Sequence, residues 1–88
     1  MKSKQAQKAL STLGRRRAFE LLESIRNEPK RFKELENLIP NKRTLSVRLQ
    51  EMAAAGLIEK THVKKGREYL AYKPTQTGEK LLLFLEFI

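Results

Sequence analysis

Between Pro40 and Gly56 the chain has neither glycine nor proline, and residues that start or stop helices bound the stretch at both ends. One helix is therefore fixed before any other element is placed. Pro40-Asn41 makes a turn. The Asn41 side chain can accept a hydrogen bond from an orphan backbone N–H of the helix that follows. The expected helix is Lys42–Ala55, with Gly56 ending it in a left-handed cap. Leu45, Leu49 and Met52 form its inward stripe. At ~100° per residue, Arg43, Val47 and Gln50 then face away from the core. Thr44 and Glu51 stand on one shoulder, and Arg48 and Ser46 lie on opposite flanks.

The remaining punctuation orders the neighbouring elements. Ser3–Leu13 reads as a helix that Ser3 can cap, with Ala6, Ala9, Leu10 and Leu13 at helical spacing. Gly14 breaks or bends it. Arg15–Asn27 reads as a second helix with Ala18, Leu21, Leu22 and Ile25 on one stripe, stopped before Pro29. Phe32–Ile39 is a third, short helix. After Gly56, Leu57–Lys64 and Arg67–Lys73 read as two strands around Lys65-Gly66. Thr75 caps a last helix running to Ile88. The expected fold class is mostly α with a small β-hairpin (α+β).

Eighty-eight residues make one domain, 1–88. Within it fall an N-terminal helix (1–14), a core (15–73) and a C-terminal helix (75–88). A chain this short buries only ~60–65% of the surface its unfolded form exposes, so a partner subunit would supplement the core. The formal net charge of +9 and a pI near 10.2 suit a polyanionic partner. The absence of cysteine removes disulfides, thiolate metal sites and thiol chemistry. Met1–Leu13 lacks the apolar run of a signal peptide, and Leu81–Ile88 is too short to cross a membrane. The expected location is the cytoplasm, on the nucleoid, with no membrane partner.

Two short helices joined by a tight turn and followed by a hairpin form the order of a winged helix-turn-helix. In that arrangement the first helix braces the second, the second offers its N-terminal half to the major groove, and the hairpin tip reaches the backbone or minor groove. Candidate contacts on the second helix are Lys42, Arg43, Thr44, Ser46, Val47 and Arg48. An outward arginine can read guanine in bidentate fashion, and an outward valine can touch a thymine methyl. The tip Lys64-Lys65-Gly66-Arg67 sets Lys64, Lys65 and Arg67 around a glycine, an arrangement suited to phosphate. Arg31, with Lys30 and Lys33, surrounds the start of the bracing helix, where N–H groups also favour phosphate. Arg15-Arg16-Arg17 admits two readings: contact with phosphate, or an i,i+4 pair between Arg16 and Glu20.

Signals of catalysis are absent. His62 is the lone histidine, without metal-ligand spacing around it, and reads as an ordinary strand residue. There is no glycine-rich phosphate loop. Neither a catalytic residue, a metal nor a cofactor is expected, and the chain is expected not to be an enzyme.

The stretch RFKELENLIPNKRTLSVRLQEMAAAGLIEK (Arg31–Lys60), with the hairpin and YKPTQTG (Tyr72–Gly78), resembles winged helix-turn-helix regulators of the HxlR and MarR type. LGRRRAFELLESI (Leu13–Ile25) is similar to the first core helix of the HxlR type. The resemblance covers about three-quarters of the chain. It implies a homodimer on operator-like double-stranded DNA, with the recognition helix beginning at Asn41 and the wing at Lys64–Arg67. Pro74 departs from the pattern, standing where an apolar strand residue is usual. Redox-sensing members rely on cysteine, absent here. MarR-type proteins are longer and carry ligand pockets at the dimer interface, so no small-molecule effector is named.

The last helix carries Leu81 to Leu85, Phe87 and Ile88, spread around most of its circumference. One small domain covers only one face of such a helix, which predicts that the two chain ends form the dimer interface. Its expected residues are Leu10, Leu13, Leu82, Phe84, Leu85 and Phe87. Sequence-specific regulation is the leading expectation. A nonspecific nucleoid protein and a winged-helix protein-interaction module are the alternatives.

Overall fold

Helix starts and stops account for most of the architecture. The computed structural model describes the backbone of residues 3–86 and the side chains of residues 7–86. Phe87, Ile88 and the side chains of Ser3 and Ala6, which enter the expectations above, lie outside the described residues. The elements in chain order are α1 (Ser3–Leu13), α2 (Ala18–Ser24), α3 (Phe32–Leu35), α4 (Lys42–Ala54), β1 (Ile58–Lys65), β2 (Arg67–Pro74) and α5 (Gln76–Glu86). The fold is mostly helical with one antiparallel hairpin, as expected from the sequence.

The bounds of α1, α4 and α5 lie close to those expected, while α2 and α3 are shorter than expected. The α1 helix closes at Gly14, whose N–H reaches back to the carbonyls of Leu10 and Ser11. Residues 14–17 then form a turn instead of continuing into α2. Arg17 sits at φ 67°, the one positive-φ non-glycine residue among those described. A left-handed L-residue costs roughly 1–2 kcal/mol, and arginine carries no sequence signal for that conformation. At the other end α2 stops at Ser24, short of Asn27. The α3 helix ends at Leu35 instead of Ile39, and residues 36–38 form a looser turn that still returns N–H groups to Leu35. Pro40 disfavours the helical region at Ile39, so the helix does not run on into the turn.

The hairpin pairs Ile58 with Pro74 through Lys65 with Arg67, leaving Gly66 at the apex with φ 78°. The first strand begins and ends one residue later than the pattern suggested, and the second begins at Arg67 as expected and runs one residue further. Tyr72 also exchanges backbone hydrogen bonds with Lys30 on its other side, at 3.1 and 2.8 Å. This bridge anchors the base of β2 to the segment entering α3.

The core is built from Leu21, Leu22 and Ile25 around α2, Leu45, Leu49 and Met52 of α4, and Leu35, Leu57 and Ile58 between them. The α1 helix packs on α2 and α4, and α5 packs on α2 and β2. Two residues expected at a subunit interface belong to this core: Leu13 is 8% exposed and Leu82 is 1% exposed. A helical pattern alone does not say which side of an all-round apolar helix meets its own domain. In α5 that side is Leu82, with Leu81 and Leu85 half-buried beside it.

The end of α4 and the start of α5 meet at Leu57. Its carbonyl accepts the Thr75 N–H at 3.0 Å. The Thr75 hydroxyl donates to the Gly56 carbonyl and accepts the Gly78 N–H, so Thr75 caps α5 as expected. A Cβ on Gly78 would lie 2.3 Å from the Leu57 carbonyl oxygen. Only glycine lets α5 approach this closely. Gly78→Ala should therefore lower stability by about 1–3 kcal/mol, the usual cost of overpacking. Urea unfolding of the two chains measures it, and an unchanged midpoint would contradict the packing described.

Candidate nucleic-acid interface

The N-terminus of α4 is set by Asn41, whose side-chain carbonyl accepts the Thr44 N–H at 2.9 Å. With the start fixed, the inward stripe of Leu45, Leu49 and Met52 fixes the rotation of the helix. Lys42, Arg43, Thr44, Val47 and Gln50 are exposed. Val47 is 46% exposed on an otherwise polar face. No acidic residue stands in the first turn of α4. The outward surface is thus cationic and polar with one apolar side chain, which suits contact with base edges and a methyl group.

Arg48 departs from the expected set of contacts. Its side chain is only 15% exposed. The Nε donates to the Arg16 carbonyl at 2.9 Å, and the guanidinium pairs with Glu51 at 2.6 Å. It holds the turn before α2 against α4 and is not free for a ligand. Its flank position, equally compatible with solvent and with a neighbour, gave no sign of this. Ser46 is half-buried on the other flank. There it lines a cleft of about 310 Å³ with Gln50, Lys60 and Tyr72, between α4 and the hairpin.

The hairpin tip is exposed throughout. Lys64, Lys65 and Arg67 pair with no carboxylate among the described residues. His62 and Glu68 meet across the strands at 3.2 Å, below the tip, a structural place for the lone histidine. Among the described residues no group of His, Cys, Asp or Glu could hold a metal ion. No helix there is long and apolar enough to cross a membrane.

Arg31 is occupied differently from the expectation. Its guanidinium lies 5.0 Å from the centre of the Tyr69 ring and 3.9 Å from the Glu34 carboxylate, leaving about half of the side chain exposed. It braces the wing on the start of α3. The Glu34 carboxylate also accepts the Arg31 N–H at 2.8 Å, so a carboxylate stands where a phosphate was considered. Of the two readings of the arginine cluster, the Arg16–Glu20 pair is not formed. Arg17 approaches Glu20 instead, at 3.7 Å with both side chains about half exposed. The shift of one residue follows from the helix starting only at Ala18, after the left-handed Arg17, which leaves Arg16 out of helical register with Glu20.

A bracing helix, a tight turn, a second helix with a polar outward face, and a hairpin returning beside it define a winged helix-turn-helix domain. The chain belongs to the HxlR-like helix-turn-helix family, whose model matches residues 12–88. Among solved structures it resembles a chain from Enterococcus faecalis V583 assigned as a transcriptional regulator of the MarR family. The TM-score is 0.76 and the identity 26%, over 98% of this chain and 80% of that one. The reduced form of the transcriptional regulator YodB from B. subtilis matches at TM-score 0.68 and 29% identity, over 92% of this chain and 82% of the other. A chain assigned as the HTH-type transcriptional regulator YtcD shares the fold at TM-score 0.73 and 24% identity, over 99% and 89%. No curated protein matches the sequence.

Arg43 and Arg48 lie on one helix with opposite duties. Arg48→Met should destabilise the fold by about 1–3 kcal/mol, because it removes charge-assisted bonds from a mostly buried group. Arg43→Met should stay within about 0.5 kcal/mol, as exposed substitutions do. Thermal unfolding of the two variants tests the contrast. Equal losses would mean that Arg43 also carries structure.

Proposed function

We propose that the chain is a sequence-specific double-stranded DNA-binding transcription regulator that acts as a homodimer. The observation that carries this is the outward face of α4, where exposed Arg43, Thr44 and Val47 stand on a helix whose other side is locked into the core. Residues 42–55 enter the major groove. The wing at Lys64–Arg67 takes the neighbouring backbone or the minor groove, where its unpaired cations meet phosphate. The family to which the chain belongs, and neighbours named as transcriptional regulators, support this reading. All 88 residues act as one domain.

The homodimer follows from apolar surface left uncovered. Leu10, Leu83 and Phe84 are exposed, Phe84 to 60%, and half-buried Leu85 adjoins them in sequence on α5. Pairing α1 and α5 with their symmetry mates would cover these side chains. A two-fold axis there would set the recognition helices about one DNA turn apart, ~34 Å, and favour a pseudo-palindromic site.

Selection of bound sites from a random duplex pool tests the proposal, with an inverted repeat as the expected product. Uniform recovery of all sequences would favour a nonspecific nucleoid protein, and no recovery a protein-interaction module. On the selected site, Arg43→Ala should cost about 1–3 kcal/mol at its own base pair and relax preference there. Equal losses on selected and scrambled duplexes would make Arg43 a phosphate contact. The affinity of the intact protein should fall with salt at a log–log slope of roughly −5 to −9, for about three to five phosphates per protomer. In sedimentation equilibrium, Leu10→Ser with Phe84→Ser should shift the protein from dimer to monomer. A variant that stays dimeric would move the interface elsewhere.

A further inference from the structure

The two flanks of α4 are unequal in what they face. At ~100° per residue, Thr44, Arg48 and Glu51 lie on one flank, and Ser46, Gln50 and Ala53 on the other, with Arg43 and Val47 between them. The second flank looks across a cleft to the wing. The first looks across a different cleft, about 250 Å³, to the turn before α2. Arg16 and Arg17 line that cleft from the turn, together with Leu38, Ile39 and Pro40 before α4 and Asn41, Thr44 and Arg48 at its start. No carboxylate lines it.

This turn gathers positive charge that the fold does not use. Arg15 and Arg16 have no carboxylate partner among the described residues, and Arg17 has only the loose, half-exposed contact with Glu20. The turn is nonetheless held in place. Arg48 donates to the Arg16 carbonyl and is itself neutralised by Glu51. Arg17 occupies a left-handed position that glycine would fill without strain. An arginine stands there despite the backbone preference.

We infer that Arg16 and Arg17 form a second phosphate clamp, which takes a DNA backbone phosphodiester on the side of α4 opposite the wing. The inference rests on the DNA-binding reading above and adds a jaw to it. With α4 in the major groove, the wing holds one bordering strand and the arginine turn holds the other. Arg43 and Val47 are left centred between two electrostatic contacts. A guanidinium suits this role because its fork can bond two phosphate oxygens at once. The clamp carries no base preference of its own, since every sequence presents the same phosphates.

The test uses the intact chain, a selected duplex and a scrambled duplex of equal length, with affinity measured across salt. Arg16→Gln and Arg17→Gly should each weaken binding to both duplexes by the same factor. Each phosphate contact removed should flatten the log–log slope by about 0.9, equivalent to about an eightfold loss at 0.1 M salt. Arg17→Gly keeps the left-handed backbone, so its melting temperature should not fall and its loss of affinity reports the side chain. A neutral methylphosphonate at one linkage beside the read bases should weaken the intact protein and leave Arg16→Gln unaffected. Unchanged affinity and slope in both variants, while the intact protein binds, would overturn the clamp and leave the DNA reading standing. Losses confined to the selected duplex would overturn it too, by making these residues base readers. Failure of the intact protein to bind any duplex would overturn the DNA reading itself.

Discussion

The geometry of this domain depends on the crossing at Leu57. There the recognition helix ends, the wing begins, the wing returns and the last helix starts, all within a few hydrogen bonds. Gly56 supplies the left-handed residue that turns the chain out of α4. Thr75 bonds the backbone on either side of that turn, and Gly78 brings α5 against the Leu57 carbonyl. Leu57 itself is fully buried. The angle between α4 and the hairpin is therefore set by backbone contacts at one point and does not rely on long side chains that could rearrange. A domain of this size has little core to spare for holding a helix and a hairpin in register. Concentrating the constraint in backbone bonds and one missing Cβ achieves it with few residues.

Around that crossing the charges divide by duty. Some cations are consumed by the fold: Arg48 on Glu51 and a carbonyl, Arg31 on Tyr69 and Glu34, and Arg26 on Glu86. The Glu86 carboxylate raises the Arg26 pKa further above its ordinary value, chiefly through their hydrogen bond. That ion pair ties the end of α2 to the end of α5. Others are exposed at the start of α4, at the wing tip and on the turn before α2.

Much of this was legible in the sequence, for identifiable reasons. Asn41 and Gly56 announce the ends of α4, Gly66 announces the hairpin apex, and Thr75 announces α5, because each residue type solves a specific backbone problem. The outward places of Arg43 and Val47 followed from helical rotation alone. The fates of Arg48 and Arg31 did not, because a long cationic side chain on a helix flank or cap is equally at home in solvent or on a neighbour. The left-handed Arg17 was invisible, since arginine is not a residue type that signals that conformation. The bridge between Lys30 and Tyr72 was invisible too, being made entirely of backbone groups. Leu13 and Leu82 could not be told from their exposed neighbours until the packing of α1 and α5 was known.

The bridge at Tyr72 stops short of the wing tip, and this divides the hairpin into two mechanical regimes. At Tyr72, β2 is hydrogen-bonded on both sides, and Ala71 and Pro74 beside it are buried. Above it, from His62 and Leu70 outward, each strand has only the other for a backbone partner, with the Arg31 guanidinium over Tyr69 as the last outside support. The wing is a cantilever, stiff at its root and compliant at its end. Its three cations occupy the part that gives most under load. Ordering such a tip against any partner costs conformational entropy, and the same compliance lets it adapt to the shape it meets.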